Sequence, residues 1–104
     1  MNHTTKKDFE ISPTGSATTA FTWTESDYDS AKIVVKAKDG SGNVSASEVL
    51  VVTDGTTPSL VEYAVVHTDD DNQVSMTWTA SSSGGTCTVQ CNATGTVTGS
   101  YELA

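Results

Sequence analysis

Residues 47–68 read as strand, turn, strand. Ser47-Glu48-Val49-Leu50-Val51-Val52-Thr53 runs into Asp54-Gly55-Thr56-Thr57, and the chain resumes as Pro58-Ser59-Leu60-Val61-Glu62-Tyr63-Ala64-Val65-Val66-His67-Thr68. Both runs are rich in β-branched residues, and an Asp-Gly pair between such runs is a hairpin signal. Pro58 sits at a strand start, where its missing N–H is tolerated. Both runs are also apolar at successive positions, the pattern of strands covered on two faces. The expectation is that 47–68 forms the two central strands of the core.

The rest of the chain alternates with period two. In 31–38, Ile33, Val35 and Ala37 face one way and Lys32, Val34, Lys36 and Lys38 the other. Phe9 and Ile11 mark a first strand, and Phe21 and Trp23 a second. Val74, Met76, Trp78 and Ala80 form one inward row. Cys87, Val89, Cys91 and Ala93 form another, and Val97, Tyr101 and Leu103 a third. Asp39-Gly40-Ser41-Gly42-Asn43 and Asp69-Asp70-Asp71-Asn72 are turns, and Ser81 to Gly85 reads as a loop. The last three strands are expected to form a meander with a Thr-rich outer face. Eighteen Thr and thirteen Ser, with few straight-chain helix formers, fit the same class. The fold expected is an all-β antiparallel sandwich of seven or eight strands, immunoglobulin-like or jelly-roll-like. One domain over 8–104 is expected, preceded by a flexible segment over 1–7.

Charge narrows the partners. Five Lys, no Arg and thirteen acids give −8, which repels nucleic acid and anionic membranes. No apolar run is long enough for a membrane-spanning helix. Cys87 and Cys91, four apart on a strand, lie about 13 Å apart at ~3.3 Å per residue, whereas a disulfide needs Cα atoms within roughly 7 Å. Two reduced core thiols are expected, as suits a reducing cytoplasm.

The segments Ala31 to Lys38, Asp39-Gly40, Ser47 to Val52, Asp54-Gly55-Thr56 and Glu62-Tyr63-Ala64-Val65-Val66 together resemble β-sandwich modules in structural proteins of tailed bacteriophages, marine and cyanobacterial phages especially. The likeness covers roughly residues 20–68. It departs at Asp69-Asp70-Asp71-Asn72 and in the Cys-containing strand. It implies a non-enzymatic virion protein, assembled in the host bacterial cytoplasm: a small capsid-decoration or knob-like protein, or a tail or neck accessory. The implied partners are other capsid or tail proteins and further copies of the chain. A second resemblance, in Lys36 to Ser45, is to the turn of bacterial fibronectin-III and immunoglobulin-like domains. It implies an adhesion or carbohydrate-binding module instead.

Candidate site residues are few. No Ser-His-Asp or Cys-His arrangement is visible from position, so neither a catalytic residue nor a cofactor is assigned. Asp69, Asp70 and Asp71 are weak Ca²⁺ candidates that lack an EF-hand's spacing and distal Glu. Tyr28, in the acidic connection 25–30, is the one aromatic residue placed in a loop, and hence the glycan-contact candidate. Lys32, Lys36 and Lys38 share a strand face and are the protein-contact candidates: the row reads equally as a solvated guard against edge pairing and as a stripe that docks on an acidic patch of a neighbouring subunit.

Overall fold

The computed structural model describes residues 5–13 and 15–104. Eight strands follow one another: β1 (Thr5–Ile11), β2 (Thr18–Thr24), β3 (Ser30–Lys38), β4 (Val44–Thr53), β5 (Pro58–His67), β6 (Met76–Ser83), β7 (Thr86–Ala93) and β8 (Thr96–Leu103). They form two antiparallel sheets, a five-stranded one in the order β1-β8-β3-β4-β5 and a three-stranded one in the order β2-β7-β6. The chain is therefore an all-β sandwich. From β2 to β8 the strands take the places of B, C, C′, C″, D, E and F in a variable-type immunoglobulin sandwich, and β1 lies at the edge beside β8 where G would run.

The core is built from the inward rows. Ile33, Val35, Ala37, Val49, Val51, Val97 and Leu103 come from the large sheet, and Phe21, Trp78, Cys87, Val89 and Cys91 from the small one. An aromatic cluster joins the layers: Tyr101 of β8 stacks on Phe21 of β2 with centroids 3.7 Å apart, and Phe9 of β1 stands edge-on to Trp78 of β6. Trp23 is fixed by its indole N–H, which donates to the Tyr28 carbonyl at 2.8 Å.

A second tie between the layers is polar. The buried Glu25 carboxylate, just past β2, accepts from the hydroxyls of Thr53 on β4 and Ser82 on β6. Burying a carboxylate is costly unless donors meet it. The residue read as part of an acidic connection is thus a clamp across the sandwich.

Several expectations are corrected. The central strand is β3, flanked by β8 and β4, whereas β5 is an edge strand. Val61 and Val66 point to the outer face of the large sheet, which no second layer covers, and are exposed, as is Val65 in the bulge, while Leu60 on the inner side packs against the core. A bulge sits in β5, where Ser47 opposes two residues, Ala64 and Val65, and Ala64 has φ 53°. Bulges of this kind twist an edge and obstruct further pairing.

The segment expected to be flexible is also divided. Residues 5–7 belong to β1 and pair with Leu103, Glu102 and Tyr101, while 1–4 lie outside the described residues. The stretch 81–83, read as a loop, completes β6. The turn is Gly84-Gly85 alone, with φ of 59° and 83°, the signature of a tight two-residue hairpin.

The meander ends at β7, because β8 crosses to the other sheet. The crossing requires Gly95, since a Cβ there would stand 2.7 Å from the Lys38 carbonyl carbon. The Thr-rich face exists, but on the outside of β2, β7 and β6, in rows such as Thr22, Thr88 and Ser81.

Candidate interaction surface

The outer face of the five-stranded sheet collects the residues that the alternation of β3 points away from the core. Strand register sets its rows. Lys6, Glu102, Lys32, Leu50 and Val61 lie side by side across β1, β8, β3, β4 and β5. The next row is Asp8, Ser100, Val34, Glu48 and Tyr63, and the one after is Glu10, Thr98, Lys36, Ala46 and Val66. Lys38 continues the β3 column.

Two halves result. The β1-β8-β3 side is charged, while the β4-β5 side, together with Val34, is apolar apart from Glu48, whose carboxylate turns to Lys32. Val34, Val61 and Val66 are 54%, 54% and 64% exposed, with Leu50, Val52 and Tyr63 beside them.

The three candidate lysines are all on this face and all exposed. They do not form a uniform positive stripe. Lys32 pairs with Glu48 at 3.6 Å, and Glu102 lies beside Lys32 on β8. An exposed pair of this kind contributes little to stability, but it cancels field.

Asp39, Asp54 and Asp69 close turns with their own carboxylates. Asp54 Oδ1 accepts from the amides of Thr56 and Thr57 at 2.9 and 2.8 Å. Asp39 Oδ1 accepts from the Ser41 and Asn43 amides, and Asp69 Oδ1 from that of Asp71. Hydrogen bonds from Thr57 and Thr56, from Asn43, and from Asn72 hold these three carboxyls below the usual Asp value. Asp69 thus spends its oxygens on Asp71 and on the Asn72 side chain, while Asp70 and Asp71 point into solvent. Among the described residues, no three His, Cys, Asp or Glu side chains gather into a metal-sized group.

Tyr28 is half-buried and packs against the core. It edges a shallow dent of about 190 Å³ whose other lining includes Glu25, Ser26, Asp27 and Asp29. Cys87 and Cys91 are free and buried. Burial, with Glu62 secondary, pushes the Cys91 thiol up to about 12. Burial, with Glu25 secondary, also raises that of Cys87.

One pair went unseen in the sequence. Ser45 Oγ lies 2.6 Å from His67 Nδ1 and accepts from the Val74 amide at 3.0 Å. Ser45 is buried, so the pair ties β4, β5 and the approach to β6 together and presents no hydroxyl to a substrate. The apolar half-face was missed too. Its signal, consecutive apolar residues in 49–52 and 60–66, was present but was read as double-sided burial.

The chain matches neither a protein-family model nor a curated protein.

Proposed function

We propose that this chain is a non-enzymatic structural protein of a bacteriophage virion, a small capsid-decoration or tail/neck accessory protein acting through protein–protein contacts. The observation that carries the reading is the outer face of the five-stranded sheet. Six large apolar side chains stand exposed on a rigid scaffold, flanked by charges of both signs. That is the anatomy of a contact surface, with an apolar centre and a polar rim. The resemblance of roughly residues 20–68 to phage structural modules supports the virion as the setting. The two unpaired thiols are compatible with assembly in a bacterial cytoplasm.

The deciding experiment is a particle reconstruction from phage carrying this gene. Symmetric copies of the sandwich on the head, neck or tail are expected. Absence of the chain from purified particles, together with glycan-array binding that Tyr28→Ala abolishes, refutes the reading in favour of an adhesion module.

A further inference from the structure

We propose that the apolar half of the outer sheet face, built on β4 and β5, is a self-association surface that takes a second copy of this chain about a two-fold axis. This deepens the assembly reading by naming the contact.

The first argument is area. Val34, Leu50, Val52, Val61, Tyr63 and Val66 adjoin one another across three strands. Their exposed surface is on the order of 500 Å², near the top of what a monomer leaves open. A standard interface takes about 800 Å² from each partner. The patch with its rim reaches that size, and an isologous contact places it against itself.

The second argument is charge. Lys6, Lys32, Lys36 and Lys38 share the outer face with Asp8, Glu10, Glu48 and Glu102. Four cations against four anions leave the face neutral. The remaining Lys7 and nine carboxylates carry the whole −8 of the chain. Two copies meeting by the acidic turns bring like charges together, and the other broad face, the Thr- and Ser-rich outside of β2, β7 and β6, is uncharged but offers no apolar centre; this face is both neutral and apolar at one end. A strongly acidic partner gains little here, because the lysines already have carboxylates beside them.

Edge-to-edge pairing through β5 is disfavoured by the bulge at Ala64 and Val65, so the contact is face to face. Mostly apolar, and made between chains of net −8, it strengthens as salt screens the long-range repulsion.

The test is sedimentation equilibrium of the purified chain in the analytical ultracentrifuge across a dilution series. A dimer is expected at tens of micromolar or above, tightening when salt is raised to about 0.5 M, where the Debye length shrinks to a few ångströms. The double variant V61K/V66K reduces the net negative charge from −8 to −6, which relieves repulsion, yet it puts two cations in the patch. It is expected to weaken association at least tenfold, with an unchanged near-UV circular dichroism spectrum. D70N/D71N makes the same change, from −8 to −6, away from the face and is expected to leave the dimer intact. NMR shifts on dilution should cluster on β4 and β5, a readout that needs no variant. A monomer at every concentration, a dimer indifferent to V61K/V66K, or one that dissolves in salt overturns the proposal. Because the assay uses the isolated chain, failure here leaves the virion reading to the particle reconstruction, and the converse holds.

Discussion

Val49→Ala and Val66→Ala remove the same two methyl groups from adjacent strands, and the structure assigns them very different costs. Val49 is 0% exposed, while Val66 is 64% exposed. At ~0.8 kcal/mol per buried methylene-sized group, the transfer loss at Val49 is about 1.6 kcal/mol. The cavity left among Val51, Ile33 and their neighbours raises the total to about 2–3 kcal/mol. Val66 has only a third of its surface buried, so its loss is about 0.5 kcal/mol. Strand preference itself reflects packing and burial, so it widens rather than cancels the difference between interior Val49 and edge Val66. Urea unfolding at low micromolar protein measures both. With a slope of about 1–1.5 kcal/mol per molar for a chain of this size, Val49→Ala is expected to lower the midpoint by roughly 1.3–3 M and Val66→Ala by about 0.5 M or less. Equal shifts would refute the edge placement of β5 and restore a core in which both strands are central.

Other outcomes follow from the turns, the bulge and the thiols. Asp39, Asp54 and Asp69 have folded values below their unfolded ones, so their contribution is present above the ordinary Asp value near 3.8 and is lost as pH falls through the lowered folded values. Asp54→Asn should lower stability at neutral pH and flatten the acid limb of a melting-temperature profile taken between neutrality and pH 2; an unchanged limb refutes the turn role. Ala64→Gly should stabilise by about 1 kcal/mol, since an L-residue at φ 53° is strained, and thermal melts would show a rise of several degrees. Cys87 and Cys91 should resist Ellman's reagent at pH 8 in the native protein and react at once in denaturant; fast native labelling would place them outside the core.

Much of the fold was legible in single elements. The alternation of 31–38 placed Ile33, Val35 and Ala37 inside and the lysines outside, and the inward rows of 86–93 and 96–103 were read correctly. Alternation is a local property, set by which way successive Cβ atoms point. The site was less legible. Lys32, Lys36 and Lys38 do share a face, but the acids that neutralise them come from β1, β4 and β8, which local sequence cannot place beside β3.

By itself, the sequence determined the class, the strands, the Asp-led turns and the sidedness of most strands, because all of these depend on neighbours along the chain. Tertiary structure alone decided how the strands were dealt between two sheets of unequal width. That division made β3 central and β5 an edge, carried β8 across at Gly95, and buried Glu25 between Thr53 and Ser82. It also turned an apolar strand from core into surface. Consecutive apolar residues record that both faces avoid water; whether the cover comes from the same chain or another is set only when the layers are assembled.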